Sequence, residues 1–242
     1  MIIKRILSQV ALKISRLLSG KQAASNNDLL WIRIVITSRD NFSEDLDFDC
    51  KEFSAYEFME MTNGILRFLQ RSGLRVISKD KNKEKLEAFR RNIYFPEFLF
   101  DLGLSGHREE RFLIKVESQD QLVNYKPEIV NIKGCGFFFP MPVPPDGVLS
   151  AMKVSAMLNR QKGRDFYDSM FLLSQVLPDF TFLAIRSGIS DLEALKKAAK
   201  DVIGSIDMNR KMKDFEHLLF NKDNSRKILR AGDFFKEMRS DR

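Results

Sequence analysis

The chain has 242 residues, 44% of them hydrophobic and 30% charged, which is enough to bury the core of one large domain or two small ones. Cys50 and Cys135 are the only cysteines and His107 and His217 the only histidines, so a disulfide framework and histidine-rich zinc chemistry are excluded, and a Ser-His triad is disfavoured. The net charge of +7 suits an anionic partner such as a nucleotide or nucleic acid, although Lys and Arg are interleaved with Asp and Glu as on any solvated mixed-charge surface.

No apolar run is long enough to span a bilayer, and the cysteine usage indicates a reducing compartment; together these predict a cytoplasmic protein with no membrane partner. Neither cysteine has a metal-ligand spacing, so both read as buried thiols. Residues 1–22 carry Lys4, Arg5, Lys13, Arg16 and Lys21, with Ile3, Ile6, Leu7, Val10, Ile14, Leu17 and Leu18 at helical spacing. That pattern fits a transit peptide or an interfacial helix, but an ordinary leading helix packed on the core explains it as well.

Leu29–Ile36 is apolar and β-branched, a buried strand or the end of a buried helix. Residues 42–50 then read Phe-Ser-Glu-Asp-Leu-Asp-Phe-Asp-Cys, with apolar and polar positions alternating as along a half-buried strand. On such a strand Asp45 and Asp47 share a face. Paired carboxylates repel unless a cation lies between them, and a divalent metal that also holds phosphates is the usual answer. The bland alternative is an acidic run on an exposed loop. Tyr56–Ser72 has helical spacing through Phe58, Met61, Ile65, Leu66 and Leu69, and Gly73 is placed to end it. Leu74–Ile77, Asn92–Leu102 and Arg111–Glu117 are strand candidates, with a charged turn over Lys79–Lys85. Residues 134–147 hold three glycines and four prolines and read as a linker or crossover.

Beyond the linker the spacing predicts helices over Leu149–Leu158, Phe166–Leu177, Asp191–Ile203 and Met208–Leu219. The fold class is therefore α+β: a mixed-sheet domain over 1–147 and a helical C-terminal domain over 148–242. The segment from Lys153 to Asp168 reads K-V-S-A-M-L-N-R-Q-K-G-R-D-F-Y-D. Gly163 is expected to break the helix, with Asp165 as the next N-cap and Asp168 at its third position, a capping arrangement that stabilises by about 1 kcal/mol. The functional reading has Lys153 and Arg164 binding a triphosphate beside an acidic metal site, with Asp165 completing the site or orienting the lysine.

Taken together, the F-S-E-D-L-D-F strand, the Lys115-Val-Glu117 strand and the K-V-S-A-M-L-N-R-Q-K-G-R-D-F-Y-D element resemble the AbiEii/AbiGii toxin family of nucleotidyltransferases, from about Arg39 onward. The resemblance implies a minimal nucleotidyltransferase sheet followed by a helical part. It implies Asp45, Asp47 and Glu117 at a Mg²⁺ ion, Ser43 and Arg164 at the NTP, and Lys153 and Asp165 as catalytic residues. It further implies the toxin half of a toxin–antitoxin or abortive-infection pair, with tRNA or a protein hydroxyl as acceptor and a cognate antitoxin as partner. The chain departs from the family pattern in one place. No Gly-Gly-Thr or Gly-Ser turn shortly precedes the D-x-D strand; Ser19-Gly20 lies far upstream, and no glycine stands between Gly20 and Gly64. Such a turn cradles phosphates with backbone amides. Its absence predicts weak NTP binding and low transferase activity, and leaves a non-catalytic nucleotidyltransferase-like binding protein as the alternative. A basic RNA-binding adaptor is what the composition alone allows.

Overall fold

The computed structural model describes residues 30–31, 45–50, 54–78, 89–134, 137–219 and 221–239. The leading segment 1–22, Ser43, the charged turn at 79–85 and Cys135 lie outside these residues. The chain divides into two compact units. One holds the described residues up to Leu122 together with Pro127–Val143; the other holds Val123–Lys126 and the chain from Pro144 onward.

The first unit is built on a five-stranded mixed sheet. Its strands are β1 (Leu30–Trp31), β2 (Asp45–Cys50), β3 (Ile77–Ser78), β4 (Phe89–Phe95) and β5 (Phe112–Gln119), in the order β1-β2-β5-β4-β3. β2 and β5 pair in parallel and the other neighbours antiparallel. Side chains alternate between faces, so the register fixes what each face carries. Leu46, Phe48, Ile93, Phe95, Phe112, Ile114 and Val116 are buried on one face. Helix α1 (Ala55–Arg71) packs into this same core through Phe58, Met61, Ile65 and Leu69, and Phe58 stacks on Phe89 at 5.6 Å. Burying side chains of this size stabilises by about 1.5–3 kcal/mol each.

The ends of α1 are chemically defined. The Glu57 N–H donates to Ser54 Oγ at 3.2 Å and the Ser54 N–H donates to Glu57 Oε2 at 3.0 Å, a reciprocal capping box. Gly73 follows the helix with φ +82°, a left-handed conformation that glycine adopts without a steric penalty. The predicted strand over Asn92–Leu102 is two elements instead: β4 stops at Phe95, and a short helix α2 (Phe98–Asp101) follows. Glu97 turns the chain at φ 54°.

The segment expected to be a linker is largely a strand. β6 (Glu128–Gly134) and β7 (Phe137–Val143) form an antiparallel hairpin, and Phe139 and Met141 point into the same core as the sheet. Pro140 and Pro142 tolerate a strand here because β7 is an edge: a proline lacks the N–H needed for a second ladder but costs nothing on the outer side.

The second unit is helical: α3 (Asp146–Arg160), α4 (Gly163–Leu173), α5 (Phe180–Ser187), α6 (Leu192–Ser205), α7 (Met208–Lys213) and α8 (Ala231–Glu237), with 3₁₀ turns at Glu216–Leu218 and Lys222–Arg230. Its core joins Met157, Phe166, Phe182, Leu183, Leu195, Phe215, Ile228 and Phe235. Asp179, Asp191 and Asp207 each cap a helix by accepting from a backbone N–H. The helix predicted over Met208–Leu219 ends at Lys213. Among the described residues, no helix is long and apolar enough to cross a membrane.

Candidate active site

One face of the five-stranded sheet packs the core, and the register gives the other face its chemistry. Asp45 lies opposite Lys115 and Asp47 opposite Glu117 on the parallel neighbour β5. Lys115 in turn faces Asn92, and Glu117 faces Arg90, on β4. Two short rows therefore cross the sheet, Asp45–Lys115–Asn92 and Asp47–Glu117–Arg90. The side chain of Asp45 is outside what the structure describes; its strand position is not.

In this arrangement Glu117 is already engaged. Arg90 Nε forms an ion pair with Glu117 Oε1, and Lys115 Nζ stands 3.9 Å from Glu117 Oε2. One strand position further along, Asp49 is 6% exposed and accepts a hydrogen bond from Gln121 Nε2 at 3.1 Å. Neither Arg90 nor Asp49 stands out in the sequence. Arg90 sits beside Arg91 and the predicted strand begins only at Asn92, yet the period of two separates the two arginines. Arg91 turns inward, 6% exposed, and donates to Thr62 Oγ1, Asn63 Oδ1 and Ser78 Oγ. Arg90 stays with the carboxylates. The signal was available in the alternation of Arg90, Asn92 and Tyr94 with Arg91, Ile93 and Phe95.

The donor chemistry fits a hard divalent cation. Asp47 and Glu117 stand side by side in register, with Asp45 two positions along the same strand, and Mg²⁺ needs only one or two protein carboxylates when phosphates and waters complete its shell. Among the described residues no three His, Cys, Asp or Glu side chains gather as a complete cage.

The helical unit holds the second motif, and here the geometry differs from the expected capping scheme. α3 ends at Arg160, and the break falls at Gln161, which takes φ 53°. Gly163 does not break a helix; it begins α4, with Lys162 as the N-cap. A Cβ on Gly163 would lie 1.8 Å from the Lys211 carbonyl oxygen and 2.6 Å from Asp214 Oδ1, so only glycine fits the approach of α4 to this segment. The Gly163 N–H also donates to Asp214 Oδ1 at 3.3 Å. Starting the helix at Gly163 puts Asp165 at its third position rather than at the cap. There Asp165 Oδ2 accepts from the Lys162 N–H at 3.3 Å, and Oδ1 pairs with Arg160 at 2.6 Å. Asp165 is buried, while Arg160 is largely exposed.

Asp168, one turn on, takes the lysine. Lys153 Nζ lies 2.6 Å from Asp168 Oδ2, with both side chains close to nine-tenths buried, and Arg164 Nε stands 3.7 Å from the same oxygen. The structure thus brings Lys153, Arg164 and Asp168 together and holds Asp165 with Arg160. Of the two cations at Asp168, Lys153 is the nearer and Arg164 the more distant. The three-residue change in helix start, from a cap at Asp165 to one at Lys162, decides the pairings: Asp165 goes to Arg160 and the Lys162 N–H, and Asp168 to Lys153.

A mixed sheet with a D-x-D strand, followed by a helical unit with a lysine–aspartate pair, is the arrangement that the resemblance to nucleotidyltransferases implies. The chain belongs to the family described as nucleotidyl transferase AbiEii toxin, type IV TA system, which matches residues 38–231. Among solved structures it is similar to MenT4, a nucleotidyltransferase toxin from Mycobacterium tuberculosis H37Rv. The TM-score is 0.50 at 15% sequence identity, covering 98% of this chain and 84% of that one, a likeness of fold. No curated protein matches the chain.

Proposed function

We propose that this toxin-family chain is a Mg²⁺-dependent nucleotidyltransferase that moves a nucleotide from an NTP to a tRNA or a protein hydroxyl. The observation that carries this reading is the register of β2 on β5, which sets Asp47 beside Glu117 on the polar face, with Asp45 two positions along the same strand. Such a metal, when bound, would neutralise phosphate charge and orient the reacting phosphoryl group. The chain's own residues would then do the rest of the work. Asp45, Asp47 and Glu117 would hold the ion, Ser43 and Arg164 would contact the nucleotide, and Lys153 and Asp165 would serve the transfer step, as the family resemblance implies.

The geometry within the helical unit adds one refinement. Lys153 is fixed by the Asp168 carboxylate, so Asp168 would position the lysine, while Asp165 is already committed to Arg160 and the Lys162 N–H. Membership in a type IV toxin–antitoxin family implies a cognate antitoxin encoded with this chain. A cytoplasmic site of action follows from an NTP-dependent reaction.

Incubating purified protein with each labelled NTP, Mg²⁺ and either total tRNA or a protein extract tests the reading. The expected result is label transfer to one acceptor class that disappears in Asp45→Ala and Asp47→Asn. Nucleotide binding without transfer in any combination would instead establish the non-catalytic reading, which the missing glycine turn favours: losing one preorganised donor set costs roughly two to three orders of magnitude in rate.

A further inference from the structure

The polar face holds a cation that the nucleotidyltransferase reading has not used. Arg90 pairs through Nε with Glu117, and its side chain remains 45% exposed beside the carboxylates. Glu117 cannot serve Arg90 and a divalent metal with full strength at once, because the guanidinium and the ion repel each other across one carboxylate. A metal held by Glu117 would therefore compete with the guanidinium for that carboxylate. Arginine is always charged, and its planar fork matches phosphate oxygens in two parallel hydrogen bonds. From β4 the Arg90 side chain would stay on the same face, at the end of the Asp47–Glu117–Arg90 row. The phosphates of an NTP held by that metal are the nearest chemistry suited to it. No glycine stands between Gly20 and Gly64, so the sequence offers no glycine turn shortly ahead of β2 for the phosphates.

We propose that Arg90 is a triphosphate-binding residue of this face, stored on Glu117 until a divalent cation takes the carboxylate. The assignment rests on the nucleotidyltransferase reading. It makes the Arg90–Glu117 pair a competitor of the metal alone and a helper of the metal–nucleotide complex, so removing Arg90 should move the two affinities in opposite directions. A pair that merely braces neighbouring strands would also free Glu117 for Mn²⁺ when Arg90 is removed, but it would not weaken the metal–nucleotide complex, so the loss of analogue affinity is the deciding half of the pattern.

Calorimetric titration of the full chain decides it, with wild type, Arg90→Ala, Arg90→Lys and Asp47→Asn each titrated with Mn²⁺ alone and with non-hydrolysable NTP analogues plus Mg²⁺. Arg90→Ala should bind the best analogue at least about fivefold more weakly and Mn²⁺ alone more tightly than wild type, and Arg90→Lys should fall between them, keeping the charge but not the fork. Should Arg90→Ala fail to fold by circular dichroism, Arg90→Lys supplies the same comparison. Wild type binding an analogue that Asp47→Asn does not, while Arg90→Ala stays within fivefold of wild type or binds Mn²⁺ no better, overturns the Arg90 assignment alone. Wild type binding no analogue overturns the nucleotidyltransferase reading and the Arg90 assignment with it.

Discussion

The two units carry their motifs in opposite ways. On the sheet, the D-x-D strand turns its hydrophobic positions inward, and the core of Leu46, Phe48, Ile114 and Val116 is complete without any contribution from the polar face. In the helical unit, the motif is part of the scaffold. Gly163 is wedged against the Lys211 carbonyl, Asp165 ties the start of α4, and the largely buried Lys153–Asp168 pair joins α3 to α4. Chemistry laid on a finished sheet face should be removable at little cost in stability. Chemistry woven into a helix junction should not.

The largest effect that could break this contrast is at Gly163. Gly163→Ala puts a methyl group against backbone, which cannot rotate away, so a loss at the upper end of overpacking, about 3 kcal/mol or more, is expected in urea unfolding. A change below about 1 kcal/mol would mean that the α4 junction is not tightly packed. Next comes Asp168→Ala, which strips Lys153 of its carboxylate inside the fold. Removing one partner of a well-buried pair costs about 3–5 kcal/mol; with both side chains slightly exposed, the lower end of that range is expected. A thermal melt superimposable on wild type would show the pair to be expendable and the motif to be free for chemistry alone.

On the sheet the expectation reverses. Asp47→Asn should leave unfolding within about 1 kcal/mol of wild type, because it also removes a like charge beside Glu117, and like charges directly opposite one another are destabilising. A loss as large as that at Asp168 would erase the distinction between the units. The smallest effect is at Asp191, the exposed cap of α6. The Ala194 N–H, followed by the Ser190 hydroxyl, holds its carboxyl below the usual aspartate range. A depressed folded pKa contributes stability that is complete above the unfolded value and is lost as pH falls through the folded one. Asp191→Ala should therefore be slightly less stable than wild type at pH 7, and the gap should close as the pH drops below about 4.

How much of this was legible in the sequence follows the same division. The α1 helix could be read from Phe58, Met61, Ile65 and Leu69 and from its glycine stop, because one face of one helix decides burial there. β2 and β5 were legible because alternation states which side is wet. The hairpin of β6 and β7 was hidden by Pro140, Pro142 and the flanking glycines, which normally mark turns and here mark an edge. The partners of Asp165 and Asp168 were hidden for another reason. They depend on where α4 begins, and that is set by the close approach of Gly163 to residues 211–215, some fifty positions away. Arg90 was missed because Arg90 and Arg91 look alike in sequence, and only the strand separates a buried anchor from an arginine on the polar face beside Glu117.

The most direct test of the polar face as the functional site is a melting curve of wild type and Asp47→Asn, with Mg²⁺ and each NTP analogue in turn. A ligand at a hundred times its dissociation constant stabilises by about 2.7 kcal/mol, which for a chain of this size raises the melting temperature by roughly 5–10 °C. At least one nucleotide should produce such a shift in wild type, only with Mg²⁺ present, and none should do so in Asp47→Asn. Equal shifts in both proteins would place nucleotide binding away from Asp47 and contradict the role given to the sheet.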